Sequence, residues 1–308
     1  MTRRRASLSL GILACLLVGT VTHAAEKVRV LVIDGQNNHT WAPMTAIMKK
    51  ALTDSGRFDV SVATTPPKGS KGEEWDAFAP QFDRYDVVVS NYNGERWPER
   101  VEKQLEAYLK KGGGLVNVHA ANNAFEPWDE FNKMIGLGWR KNSFGDRITL
   151  DNEGKVVRTP KGEGLGAGHG PQHAYKVTIQ KPDHPITRGI PRVWVHSKDE
   201  LYQGQRGPAE NMEVLATAFA SPDYKGSGTN EPIAWVIPYG RGRVFTTVLG
   251  HTMNEETVAA RCVGFLTLLT RGTEWAATGK VTLPVPANFP TETEESVIPE
   301  SKAATPSS

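Results

Sequence analysis

Two spacings of apolar positions alternate along the chain. Val28-Arg29-Val30-Leu31-Val32-Ile33 is a nearly continuous β-branched run, the pattern of a strand covered on both faces. Pro43 suits the first turn of a helix, and Met44, Ile47, Met48, Ala51 and Leu52 then recur at helical spacing. Residues 58–63 alternate as a second strand, and residues 66–72 read as a loop. Val87-Val88-Val89 predicts a third buried strand over 85–90, ending in Asn91-Tyr92-Asn93-Gly94. Trp97-Pro98 opens a helix through Val101, Leu105, Tyr108 and Leu109, closed by Gly112-Gly113-Gly114. Residues 115–118 form a fourth strand that ends at His119, and residues 126–135 a further helix. Strands and helices in this succession predict right-handed crossovers and a parallel sheet with helices on both faces.

The second half is less regular. Residues 136–170 are rich in glycine and charge, and strand-like runs follow at 175–179, 193–196 and 214–219. Residues 232–237, a turn at Tyr239-Gly240-Arg241-Gly242 and residues 243–249 read as a hairpin. A helix is expected over 254–269. From about residue 282 the chain is rich in Pro, Thr, Ser and Glu, which predicts a disordered tail over 282–308. There is no internal repeat. The expected fold class is α/β, with one domain over residues 26–281.

Residues 1–25 stand apart. Arg3, Arg4 and Arg5 precede an apolar run over 8–18, and Thr22-His23-Ala24 offers a small-x-small cleavage pattern. This is the layout of a secretory signal peptide, so the chain is expected to be exported, either periplasmic or secreted. The apolar run is short for a membrane span. Ile12-Leu13-Ala14-Cys15 weakly resembles a lipoprotein cleavage site, but the apolar run continues past Cys15.

Of the 308 residues, 36 are Lys or Arg and 34 Asp or Glu, for a formal charge of +2. Taking away the three leader arginines leaves 33 basic against 34 acidic side chains. No strongly basic surface is available to hold phosphate backbones, which argues against nucleic acid as a partner. Past the leader only Cys262 remains, so no intramolecular disulfide can form. Cys262 lies in an apolar run over 258–269 and reads as a small buried residue rather than a nucleophile.

The histidines carry the strongest chemical signal. His39 lies in the loop after the first strand, His119 ends the fourth, and His251 follows the run 244–249. Strand carboxyl ends of an open parallel sheet share one edge, where ligands bind. His39 and His119 should therefore converge, joined by His251 if its strand runs the same way. Imidazole can exchange protons near neutral pH or bind Zn²⁺ or another transition metal. His39, His119 and His251 are thus candidates for either task, though no H-E-x-x-H and no cysteine ligands accompany them. Glu200, in Asp199-Glu200-Leu201-Tyr202 after a strand, could be a general base, a hydroxyl binder or a ligand. Of His169 and His173, in a glycine-rich loop, His173 is the expected contributor, while His184 reads as structural.

Asn91, Asn93, Asn122 and Trp41 occupy the same strand-end loops. Amides match hydroxyl donors and acceptors, and an indole covers the apolar face of a sugar ring. No G-x-G-x-x-G follows the first strand, and no P-loop or G-x-S-x-G elbow occurs, so no nucleotide cofactor is expected.

Several short stretches, in order, resemble the trehalose-utilisation (ThuA-like) family. They are Gly113-Gly114-Leu115-Val116-Asn117-Val118-His119, His184-Pro185-Ile186-Thr187-Arg188-Gly189, Asp199-Glu200-Leu201-Tyr202, and Tyr239-Gly240-Arg241-Gly242-Arg243-Val244-Phe245 leading to Leu249-Gly250-His251. The resemblance runs from Val28 to about Trp275. It implies a flavodoxin-like three-layer α/β/α sandwich with a mostly parallel central sheet, similar to class I glutamine amidotransferases. It also implies a role in carbohydrate utilisation, with a sugar dehydrogenase in the same pathway. The nucleophilic cysteine of amidotransferases would follow the strand ending at His119, and residues 117–123 contain none, which excludes thiolate-dependent glutamine hydrolysis. The expected function is an exported enzyme acting on a sugar or keto-sugar (as an isomerase, lyase or hydrolase) by histidine acid/base or metal-assisted chemistry. A non-catalytic carbohydrate- or partner-binding module is the alternative, and a structural domain tethered by its tail is a third.

Overall fold

The structure is a computed structural model that describes residues 26–300; the expected leader and Cys15 lie outside the described residues. In chain order the elements are β1 (Val28–Asp34), α1 (Trp41–Asp54), β2 (Phe58–Thr64), α2 (Glu73–Ala77), β3 (Val87–Ser90), α3 (Glu99–Lys110), β4 (Gly114–Val118) and α4 (Asp129–Ile135). Then follow β5 (Arg147–Leu150), β6 (Val156–Thr159), β7 (Gly168–His169), β8 (His173–Ile179), β9 (Val193–Asp199), β10 (Tyr202–Gln203), β11 (Glu213–Phe219), β12 (Asn230–Tyr239), β13 (Gly242–Thr247) and α5 (Val263–Thr278).

The main sheet runs in the order β2-β1-β3-β4-β13-β12-β11-β8-β9, with β5 and β6 attached to β12. From β2 to β13 every pair is parallel. The hairpin β12–β13 turns the direction, and the rest is antiparallel. The continuous apolar runs occupy the sheet centre, where β1, β3 and β4 are buried on both faces. On the edge strand β2 only Phe58 is buried, and the other positions are half-buried or exposed.

Close contacts assign the helices to faces. Gly272 of α5 sits against the Phe245 ring, and Gly242 sits against the backbone of Leu109 in α3. Phe245 and Gly242 have opposite parity on β13, so α5 and α3 cover opposite faces. The Trp235 indole donates to the Ile135 carbonyl of α4 at 2.7 Å. Trp235 pairs with Thr246, which shares the parity of Gly242, so α4 joins α3. α1 packs beside α5. The result is the expected α/β architecture of helices around a large central sheet.

Two expectations along the chain are corrected. Residues 254–262 form turns rather than a helix, with Asn254 at φ +52. α5 starts nine residues later than expected and ends at Gly279, whose φ of +74 lets its N–H reach back to Trp275. Residues 282–300 are not a loose tail. The N–H groups of Thr282 and Leu283 bond to the buried Glu274 carboxylate, Val195 donates to Thr291, and Val263 donates to Ser296. Phe289 packs edge-on against Trp194. Among the described residues no helix is long and apolar enough to cross a membrane.

Candidate functional site

β13 runs parallel to β4, so the loops after β1, β4 and β13 open on one edge of the sheet. There the ligand atoms of His39, His119, Glu200 and His251 all lie within 4.8 Å of one another. Each residue arrives by a different local device. His119 has φ +46, a strained conformation for a residue with a side chain, which turns its ring out of the strand line. Gly250 takes φ +106 with its Cα close against Met44 and Phe265, and so delivers His251. The N–H of His39 bonds to Asn37 Oδ1. Glu200 follows Asp199, the last residue of β9.

The spacing is compatible with ligands around a shared ion. Glu200 Oε2 stands 3.6 Å from His39 Nε2, 3.8 Å from His119 Nε2 and 3.3 Å from His251 Nδ1. Hydrogen bonds between nitrogen and oxygen are tighter, at about 2.7–3.2 Å. Atoms bound tetrahedrally at about 2.0–2.1 Å from a zinc ion stand roughly 3.3–3.4 Å apart. The side chains are 7%, 5%, 10% and 3% exposed for His39, His119, Glu200 and His251. Neither nitrogen of the buried His251 ring makes a hydrogen bond, a costly arrangement unless something else occupies the nitrogen.

Outer contacts fix the rings. His119 Nδ1 lies 2.7 Å from the Val248 carbonyl, and His39 Nδ1 3.1 Å from Asn38 Oδ1. Both partners accept, so these nitrogens carry the protons and the Nε2 lone pairs face the cluster. Burial, reinforced by His39, pushes the His119 imidazole down to about 4, which keeps it neutral. Burial opposes charge on Glu200, but His251 and His39 outweigh it and hold the carboxyl below its usual range. The Asp199 carboxylate accepts the N–H groups of Gly250 and His251 at 2.8 and 3.2 Å and meets His196 Nε2 at 2.7 Å. Asp199 therefore ties the Glu200 and His251 loops together. Cys262 adjoins His196, but Cys262, His196 and Asp199 are all completely buried. No substrate reaches the thiol, and this Cys-His-Asp row is scaffold.

The other candidates separate. Asn91 is a strut, its amide donating to the Trp41 carbonyl and to Thr45 Oγ1 at 3.0 Å each. Asn122 is fully buried and donates to Gln205. Trp41 and Asn93 line a cleft of about 620 Å³ with Asn37 and Asn38. His173 is not one of the clustered residues; it stacks on Tyr224 with ring centres 3.8 Å apart. Its neighbour His169 instead approaches Glu200 Oε1 at 3.4 Å and is 35% exposed. Tyr202 also meets the cluster, its hydroxyl 3.4 Å from His119 Nε2. His169 and Tyr202 face each other across the short β7–β10 pair, a long-range pairing with no local signal. A larger cleft of about 720 Å³ lies at the opposite, amino-terminal edge of the sheet and includes none of the histidines.

Comparison with known proteins agrees with the fold. The family model ThuA, described as trehalose utilisation, matches residues 29–276. A ThuA-like protein from Parabacteroides merdae is 41% identical; the match covers 89% of this chain and 98% of that one, with a TM-score of 0.83. A ThuA-like protein from Bacteroides uniformis is 18% identical over 85% of this chain and 96% of that one, with a TM-score of 0.55, and shares the fold. No curated protein matches the chain. With nearly its whole described length matched, the chain belongs to the ThuA, or trehalose-utilisation, family.

Proposed function

We propose that the chain is an exported, metal-dependent enzyme that processes a sugar or keto-sugar at the His39–His119–Glu200–His251 cluster. The observation that carries this proposal is the gathering of four potential ligand atoms within 4.8 Å of one another, with 3.3–3.8 Å separations around Glu200 Oε2 that a bound ion could draw together. Three imidazoles and a carboxylate suit Zn²⁺ and other divalent transition metals. A carbohydrate-related family supports a sugar as substrate, and the basic–apolar–small leader supports export.

A bound divalent ion would polarise a substrate carbonyl or hydroxyl and so acidify its neighbouring C–H or O–H. The protein supplies the rest. His119 stays neutral with its lone pair aimed inward. Glu200 contributes negative charge, and its second oxygen faces His169. His169 is not one of the four clustered residues and is open to solvent, so it can carry a proton between the substrate and water. Proton transfer beside a polarised carbonyl serves isomerisation and elimination alike.

The test is metal analysis joined to turnover. Protein purified without chelator should hold about one divalent transition-metal ion per chain and convert a keto-sugar. The His119→Ala variant should lose both the ion and the activity while keeping its circular dichroism. Full activity in metal-free protein, or in His119→Ala, would overturn the proposal.

A further inference from the structure

Tyr202 is the polar group at the cluster that the four ligand candidates leave without a role. It follows Glu200 by two residues and forms β10 with Gln203. Its register partner across the strand pair is His169. The residue is 1% exposed, and neighbouring rings hold its own ring in place. Trp139 meets it edge-on with ring centres 4.7 Å apart, His119 lies tilted at 4.8 Å, and His169 lies nearly parallel at 6.3 Å. Phenylalanine would fill the same space against the same rings. The hydroxyl therefore needs a separate reason, because a buried O–H is expected to have an acceptor.

One acceptor stands near it. The phenol oxygen lies 3.4 Å from His119 Nε2, past the roughly 2.7–3.2 Å of a well-formed hydrogen bond. His119 Nδ1 meets the Val248 carbonyl and carries the ring's proton, so Nε2 offers a single lone pair. The phenol and an ion in the cluster would both use that lone pair, and it serves only one of them. The Asn123 amide also adjoins the phenol oxygen, but Asn123 Oδ1 accepts no hydrogen bond. Ligation of an ion through His119 Nε2 would thus leave the Tyr202 O–H buried without its acceptor, an unfavourable state. An oxygen held beside His119 at the cluster would restore the bond.

We propose that Tyr202 is a further catalytic residue, whose phenol O–H donates a hydrogen bond to a substrate carbonyl or hydroxyl oxygen at the His39–His119–Glu200–His251 cluster. This assignment rests on the cluster being a metal site and adds a residue to it. Tyr202 donates a hydrogen bond and keeps its proton throughout. As a C–H or O–H proton of the substrate leaves toward His169, negative charge collects on the substrate oxygen. A donor aimed at that oxygen stabilises the charge more in the transition state than in the ground state. The surrounding rings fix the donor before substrate arrives, so little reorganisation accompanies the reaction.

The test uses acetohydroxamate, a small probe that presents an anionic oxygen to a bound ion. It is titrated calorimetrically into zinc-loaded wild type and Tyr202→Phe, with metal content, circular dichroism and melting temperature measured for both. The substitution keeps the ring and its packing and removes only the hydroxyl. Tyr202→Phe should fold and hold zinc as wild type does, yet bind the probe about tenfold or more weakly. Equal probe affinity in the two proteins would overturn the assignment. Loss of zinc from Tyr202→Phe would also overturn it, by making the phenol part of the ion's own support, and so would zinc-loaded wild type that binds no probe. Wild type that takes up no zinc would instead strike at the cluster proposal itself, and the Tyr202 role would fall with it.

Discussion

His119 Nδ1 donates its proton to the carbonyl of Val248 at 2.7 Å. A carbonyl can only accept, so the bond selects one tautomer and leaves the opposite nitrogen unprotonated toward Glu200. Val248 lies just past the end of β13, beside β4 in the sheet. The neighbouring strand thus fixes the chemistry of the residue that ends β4.

Metal binding should stabilise the fold. A ligand at 100 times its dissociation constant adds about 2.7 kcal/mol to a protein that binds it only when folded. For a domain of this size each kcal/mol moves the melting temperature by roughly 2–4 °C. Adding Zn²⁺ to chelator-stripped protein should therefore raise the melting temperature by about 5–10 °C in a calorimetric scan. His119→Ala should remove most of that increment; an equal rise in both proteins would count against the four-ligand site.

Asp199→Asn should weaken the site without touching a ligand. Asp199 accepts two backbone N–H groups of the Gly250–His251 turn and pairs with the buried His196. An amide cannot accept all three. Outer contacts of this kind are worth about 10–100-fold in metal affinity, which chelator competition would measure. The broken buried pair should also cost roughly 3–5 kcal/mol of stability in urea. Metal affinity equal to that of wild type would show that Asp199 does not position His251.

His169 and His173 should part company under mutation. His169→Gln should lower turnover by about 100-fold or more, as expected for loss of a proton-transfer group, with metal content retained. His173→Gln, at a ring stacked on Tyr224 and not among the clustered residues, should stay within about twofold of wild type. Equal rates for the two variants would remove His169 from the mechanism.

Glu274 should make stability fall in acid. Burial opposes its charge, but Thr282, Arg57 and the N–H groups of Thr282 and Leu283 outweigh burial and hold its carboxyl below the usual value. A depressed carboxyl stabilises the fold above its unfolded value, near 4.3–4.5, and that contribution is lost as pH falls through the folded value. Wild type should lose stability more steeply than Glu274→Gln as pH drops below about 4.5, by urea unfolding at each pH. Parallel pH profiles would contradict the anchoring of residues 282–300.

Gly272→Ala sets two effects against each other. Helix propensity alone favours alanine by about 1 kcal/mol in the interior of α5. A Cβ at this position would lie 2.2 Å from Phe245 Cδ1, in a ring that is fully buried. Overpacking of this kind costs roughly 1–3 kcal/mol, so the variant should unfold at lower urea. A stabilised variant would mean that helix and sheet separate more easily than their contact implies.

The sequence by itself determined the layers and most of the site. Its β-branched runs and helical spacings are local properties, legible because each strand and helix must bury one repeating set of side chains. Parallel strands end on one edge, so a histidine just past β1 or β4 reaches that edge whatever the remaining packing, whereas His251 joins them because β13 runs parallel to β4. Only the tertiary structure decided which neighbours join them. His169 rather than His173 meets Glu200 because β7 pairs with β10, Asn91 is spent on α1, and residues 282–300 find anchorage on Glu274 and α5. Each of those outcomes depends on contacts between segments distant in the chain, whose geometry no local spacing encodes.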